Sequence, residues 1–343
     1  MIVKVQTLIA SIIVFGLIIF VHELGHYIAA RLSGIKVLEL ALGFGPRLIG
    51  WSRGGTDYSL RIIPFGGFCR MLGEDPSEKD HPGNFTEKPL LSRIAVVVAG
   101  PLMNFVLALL LLFSVYFFFV GVPITDSTGI GNVVPGHPAA EAGLQTGDQL
   151  TAIDGVNVSN WNDVVSLIED KEGRQVELAF IRDGKQNVIS ITPIAEETPE
   201  GTRGVIGITP RVEKFVFGGA INSSFQYISF VLVATYQTLT GKVPLEVVGP
   251  VGIISFVGQA ANNGIVSLML LTALISFSLC IMNLLPIPAL DGGRLLFLLI
   301  EGIRRRPLDP EKEGFIHMIG FAILIILILL ITYNDLIRLD IFR

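Results

Sequence analysis

Apolar residues in this chain gather into runs longer than the core of a soluble domain requires. One extends from Val5 to about Ala30, and three more lie at roughly Ile94 to Val120, Val266 to Leu290 and Phe315 to Ile331. A helix needs about 20 mainly apolar residues to cross a bilayer, so the pattern predicts four membrane-spanning helices. A fifth stretch, Phe225 to Leu239, is shorter and interrupted by Gln226, Tyr227, Ser229, Thr235 and Gln237. It reads as a helix lying along the interface or packed beside the bundle. The first run is too long for the apolar core of a signal peptide and lacks a small-x-small cleavage pattern, so it reads as a span that stays. Between the second and third runs the pattern turns polar, with the alternating stretch from Gln175 to Ile181, a turn at Arg182-Asp183-Gly184, and Val188, Ile189 and Ile191 beyond it. That period of two predicts strands of a soluble domain. The expected division is 1–120 for the first two spans and the loop between them, 121–212 for the soluble domain, 213–265 for an interfacial helix region and 266–343 for the last two spans.

Composition agrees with a bilayer: 51% of the 343 residues are hydrophobic and only 16% charged, with a mean hydropathy of +0.64, outside the range of ordinary soluble domains. The formal charge of -5, with no basic block interleaved by aromatics, excludes a nucleic-acid partner. Cys69 and Cys280 lie far apart and neither belongs to a CxxC pair, so neither a disulfide framework nor a thiolate zinc cluster is implied. Charge placement sets an orientation, because cytoplasmic loops retain Lys and Arg. Arg31, Lys36, Arg47, Arg53, Arg61 and Arg70 follow the first run, and Arg304, Arg305, Arg306 and Lys312 precede the last. Both loops are expected in the cytoplasm, with the N-terminus and the soluble domain outside; Lys4 opposes this.

The most chemically loaded segment is Val21-His22-Glu23-Leu24-Gly25-His26. Histidines four apart stack on one face of a helix and can share a tetrahedral metal. Glu23, next to His22, stands where a general base would take a proton from a water activated by the cation. Polar residues snorkelling from a helix end are the competing reading, but these three lie inside the apolar run, where ionisable groups are costly and mark functional sites. Zn2+ is the expected metal, and it needs a third protein ligand. His81 and His137 fall in polar segments, and His317 opens the last run without a partner motif, so all three read as surface or structural residues. Asp291 ends Asn283-Leu-Leu-Pro286-Ile-Pro288-Ala-Leu-Asp291-Gly-Gly293, where prolines and glycines permit unwound backbone, which membrane depth tolerates only inside protein or around a water-filled cavity. Asp291 is therefore the expected third ligand; capping a helix that starts at Gly293 is the alternative.

Two resemblances add to this. Pro135-Gly-His-Pro-Ala-Ala-Glu-Ala-Gly-Leu-Gln-Thr-Gly-Asp148, followed by Ile153-Asp-Gly-Val156, resembles the PDZ family, whose domains capture extended peptides as an added strand. By likeness to the permuted bacterial version, the groove edge falls at Gly204-Val-Ile-Gly207-Ile208; simple glycine turns are the alternative. His22-Glu-Leu-Gly-His26 in the first span, the Asn283 to Gly292 run in the third and a PDZ-like domain between the second and third resemble the site-2 protease family, specifically the bacterial regulator-of-sigma-E type. Phe65-Gly66-Gly67-Phe68 is similar to that family's membrane-reentrant hairpin, which holds substrate as an added strand, and Gly249-Pro-Val-Gly-Ile253 is a further local match. An ordinary glycine turn is the other reading of Phe65 to Phe68. The resemblance implies a multi-pass protein of the bacterial inner membrane, with its active site toward the cytoplasm and one PDZ-like domain where the best-known members have two. It implies cleavage of single-span membrane proteins, anti-sigma factors and remnant signal peptides, after a separate site-1 protease has cut first. It also implies that Asn283 bonds the unwound substrate backbone, against a role satisfying carbonyls freed by Pro286. An inactive membrane adaptor that binds peptides through its PDZ-like domain, and a metal transporter, are the alternatives; the intact His22-Glu23-His26 motif weighs against the first.

Overall fold

The computed structural model describes residues 5–73, 83–198, 201–243, 248–306 and 308–338; His81 lies outside them. The chain opens with helix α1 (Val5–Leu32), strands β1 (Val37–Arg53) and β2 (Thr56–Met71), and helix α2 (Leu90–Ser114), continued by a π-helical turn at Val115–Val120. Then follow β3 (Val122–Pro123), β4 (Ile130–Val133), the one-turn helix α3 (Pro138–Glu141), β5 (Gln149–Ile153), β6 (Val156–Asn157) and α4 (Trp161–Ile168). Strands β7 (Val176–Arg182), β8 (Lys185–Ile191), β9 (Ile194–Thr198), β10 (Gly201–Val205), β11 (Ile208–Pro210) and β12 (Val212–Glu213) come next. The rest is helical: α5 (Phe217–Leu239), α6 (Pro250–Asn263), α7 (Ile265–Leu284), α8 (Asp291–Arg304) and α9 (Pro310–Arg338). Two compact units result, one of Met1–Leu112, Ile228–Leu232 and Leu245–Arg343, the other of Phe113–Tyr227 and Val233–Pro244.

Among the described residues five helices are long and apolar enough to cross a membrane: Val5–Leu32, Leu90–Val120, Phe217–Thr238, Ile265–Leu284 and Glu311–Arg338. Four coincide with the expected spans. The fifth is α5, which begins at Phe217 rather than Phe225 and so gains the length it lacked in the sequence pattern; its hydropathy of 1.2 against 2.3 to 2.9 for the others reflects its polar interruptions. The third run, expected to reach Leu290, stops as a helix at Leu284. Pro286 and Pro288 offer no N–H, and each also disfavours helical geometry in the residue before it.

In the first unit, Ala10, Val14 and Ile18 repeat every fourth residue along α1 and meet Leu107 of α2 and Val257 of α6 in one buried cluster. Between lipid-solvated helices such contacts hold by close packing more than by expulsion of water. The Gly249-Pro-Val-Gly-Ile253 segment proves to be the start of α6, with Pro250 at its first position. Asp335, buried near the end of α9, accepts the backbone N–H groups of Gly249 at 3.1 Å and Gly252 at 2.8 Å. A carboxylate there satisfies donors that the first turn of a helix leaves over and complements its dipole. β1 and β2 form a long hairpin whose residues 39–42 have partners in both 57–60 and 67–70. The pair thereby curls into a small sheet, and residues 67–71 form its outermost segment beside α1.

The second unit has a four-stranded sheet in the order β6-β5-β7-β8, with shorter pairs β4–β11, β9–β10 and β3–β12. Ile130, Leu150, Ile153, Val164, Val176 and Leu178 are buried in its core. The β7–β8 hairpin turns where expected, at Asp183 and Gly184, both with positive φ, the geometry that matches strand twist. Arg182 clamps the glycine turn before β5: its Nε and Nη2 donate to the buried Asp148 carboxylate at 2.7 and 2.6 Å.

Candidate metal centre

α1 carries His22 and His26 on consecutive turns, with Glu23 next to His22, and Asp291 is the first residue of α8. Three atoms converge. His22 Nε2 and His26 Nε2 lie 3.3 Å apart, and Asp291 Oδ2 is 3.2 Å from the first and 3.5 Å from the second. Two imidazole lone pairs and a carboxylate oxygen this close repel one another unless a cation sits between them. The spacing tests which one fits: ligands at 2.0 to 2.1 Å around a tetrahedral ion stand about 3.3 Å from each other. The triangle therefore matches three corners of such a tetrahedron, and its three residues line a cavity of about 320 Å3 together with Glu23, Gly67, Phe68, Cys69, Arg70 and Arg294 among others. Three protein ligands and one open corner are the arrangement of a catalytic rather than a structural zinc site. Helix α8 begins at Asp291 itself, not at Gly293, and its N-cap position is Leu290.

Close packing of α2 makes the two histidines fit. A Cβ on Gly25 would stand 2.3 Å from the Ala99 carbonyl oxygen, and one on Gly100 would stand 2.2 Å from His26 Nε2. Only glycine lets the helices approach this closely. His26 Nδ1 donates to the Val96 carbonyl at 2.8 Å, which fixes the tautomer and leaves the Nε2 lone pair toward the triangle. Asn104 does the same for His22. Its side-chain amide lies 3.4 Å from His22 Nδ1, while its Oδ1 is buried without a partner. With the amide turned by half a rotation, Oδ1 accepts the Nδ1–H of His22. Ser276 of α7 donates to the Asn104 backbone carbonyl at 2.8 Å.

Of the expected substrate contacts, Gly67 and Phe68 line this cavity. A Cβ on Gly67 would come within 3.1 Å of Glu23 Cγ, so this strand backbone passes directly beside the candidate base. Phe65 and Gly66 belong to the same strand rather than to a bare turn. Asn283 lies in the last turn of α7 and is not among the residues that line the cavity. In the second unit, Gly204 and Gly207 line a separate groove of about 360 Å3 with Val164, Val165 and Ile168 of α4 and with His137. The Gly204 amide is already committed to the Glu169 carbonyl at 2.7 Å, and Gly207 has a φ of +81° with no room for a Cβ beside His137. Both glycines thus shape the groove through backbone packing. Asn104, Gly100 and Asp335 were not singled out in the sequence; a Gly-Pro pair followed by a lone Asn inside an apolar run was the available signal for the first two.

A model of peptidase family M50 matches residues 10–327. The zinc metalloprotease RasP of Geobacillus kaustophilus is 32% identical over an alignment of 417 residues that covers 98% of this chain and 99% of that protein. The regulator of sigma-W protease RasP of Bacillus subtilis is 34% identical over 420, with 98% and 99% covered. Both alignments exceed the 343 residues here, so these relatives carry segments that this chain lacks. The PDZ domain of an SdrC-like protein from Listeria monocytogenes is 30% identical over 25% of this chain and 87% of its own, at a TM-score of 0.22.

Proposed function

This chain belongs to peptidase family M50 and is a multi-pass membrane protein and site-2-type zinc metalloprotease, and from that premise we propose that it cleaves single-span membrane proteins within or near their transmembrane segment after an earlier cut by another protease. The observation that carries this reading is the triangle of His22, His26 and Asp291 with Glu23 and the Gly67–Phe68 strand around one cavity. When bound, zinc supplies Lewis-acid polarisation of the scissile carbonyl and a water of lowered pKa. His22 and His26, with their Nδ1 atoms turned away from the triangle, and Asp291 would hold it. Glu23 is the base: its carboxylate takes a proton from the attacking water and hands it to the nitrogen of the breaking amide. The water oxygen ends on the carbonyl carbon, and the electrons of the C–N bond leave with the amine.

A substrate helix hides its peptide bonds in its own hydrogen bonds and must unwind before it can be cut. The strand at Gly67 and Phe68 supports a place where the freed groups find partners, as strand addition requires. Anti-sigma factors and remnant signal peptides are the proposed substrate classes; the B. subtilis relative, named a regulator of sigma-W protease, supports the first. The soluble unit is proposed as a PDZ-like filter whose groove beside α4 takes extended peptide. Its proposed position, with the N-terminus, is outside the cell, and the metal centre lies toward the cytoplasm, supported by the Lys and Arg in the loops after α1 and before α9. Purified Glu23→Gln protein is expected to retain its metal and lose cleavage of a model transmembrane substrate. Full activity in that variant would overturn the mechanism.

A further inference from the structure

His317 lies on α9, distant in sequence from every ligand, yet its ring reaches the loop that delivers Asp291. The backbone N–H of Ala289 donates to His317 Nδ1 at 2.9 Å. Ala289 has a φ of +77°, the left-handed region that glycine enters freely and a residue with a Cβ enters only under constraint. In the tautomer that accepts this bond, His317 Nε2 carries the hydrogen, and that nitrogen is buried with no hydrogen-bond partner; Glu313 Oε1 stands 4.0 Å away. The Phe297 ring of α8 meets the imidazole edge to face, with centroids 5.4 Å apart. One hydrogen bond, to the strained residue, is thus all that this imidazole makes among the described residues. An imidazole in an apolar helix is costly, and a use for its accepting nitrogen accounts for its presence. A second brace lies one turn along α9. A Cβ on Gly320 would stand 2.4 Å from Pro288 Cβ and 2.7 Å from its carbonyl oxygen, so the loop rests directly on helix backbone.

We propose that His317 is a positioning residue for the metal centre. By accepting the Ala289 N–H it holds the left-handed turn two residues before Asp291 and so sets Oδ2 in its triangle with His22 and His26. It touches neither ion nor substrate. This rests on the reading of Asp291 as a metal ligand, and the experiment separates the two ideas.

Zinc affinity is measured on the purified full chain by competition with a chelator. Asp291→Asn tests the ligand; His317→Phe keeps a ring against Phe297 and deletes the acceptor. Asp291→Asn is expected to bind zinc far more weakly than wild type. His317→Phe is expected to bind it roughly 10 to 100 times more weakly, the usual cost of losing an outer-shell partner. Adding Ala289→Gly to His317→Phe is expected to bring affinity back to within about 3-fold of wild type, because glycine takes this φ without help. Loss of ring packing alone predicts no such rescue. Where His317→Phe does not fold, Ala289→Val with His317 intact decides: a β-branched side chain at this φ is expected to weaken zinc binding by at least about 10-fold. Unchanged affinity in the His317 variant, no rescue by Ala289→Gly, or wild-type affinity in Ala289→Val would overturn the proposal. Unchanged affinity in Asp291→Asn would instead overturn the ligand assignment beneath it.

Discussion

His22 and His26 project from one uninterrupted stretch of α1, whereas Asp291 arrives at the end of an irregular loop, residues 285–290, between α7 and α8. The histidine side needs only helical periodicity to bring its two rings together, and then close contact with α2 to orient them. The aspartate side has no periodicity to rely on. Two prolines stop α7, a left-handed alanine turns the chain, and contacts with α9 hold the turn. Two of the proposed ligands stand on a rigid element and one at the end of a loop that other parts must constrain. Preorganised catalytic geometry demands the same precision of both.

That contrast can be broken at several points. The largest effect is expected on the histidine side from His26→Ala, which removes a proposed ligand: cleavage of a model substrate should fall by about 10^3-fold or more, in line with the several kcal/mol a catalytic metal supplies, and bound zinc should fall with it. Gly100→Ala comes next. Its Cβ would overlap His26 Nε2, and a displacement of about 1 Å costs about 10^2-fold in rate; assays of cleavage and of thermal unfolding in detergent should show the rate falling far more than stability. Asn104→Ala removes the acceptor for His22 Nδ1, and chelator competition should show zinc bound about 10 to 100 times more weakly. The smallest change is expected from Tyr27→Phe. Its hydroxyl bonds Tyr58 of the hairpin at 2.7 Å, and its loss should cost about 1 kcal/mol of stability while leaving zinc affinity within a few-fold of wild type. An Asn104→Ala protein that bound zinc normally would leave the histidine side resting on helical spacing alone, and would sharpen the contrast with the loop.

The same asymmetry explains how much the sequence disclosed. His22, Glu23 and His26 were legible because a helix converts spacing directly into geometry, and Asp291 because prolines and glycines in an apolar run announce irregular backbone. The β7–β8 turn was legible in Asp183-Gly184 for an equally local reason. His317 was not: what it does depends on where α9 packs, and nothing adjacent to it in the chain signals the Ala289 amide. Asn104 was hidden for the same cause, as a lone polar residue whose partner lies on another helix. The end of α7 was placed too late because hydropathy continues through Leu285, Ile287 and Leu290 although the prolines end the helix. The length of α5 was missed in the opposite direction, since Gly218 and Gly219 dilute the apolar pattern of its first turns. Gly204, expected at a peptide-groove edge, lines the groove beside α4, and its amide serves the end of that helix.

X-ray absorption on the purified, zinc-loaded protein tests the central claim most directly, because Cys69 lines the same cavity as the two histidines and offers a different donor atom. The predicted first shell holds two imidazole nitrogens and oxygen donors at about 2.0 to 2.2 Å. A zinc–sulfur distance of about 2.3 Å, or a shell with fewer than two imidazoles, would contradict it.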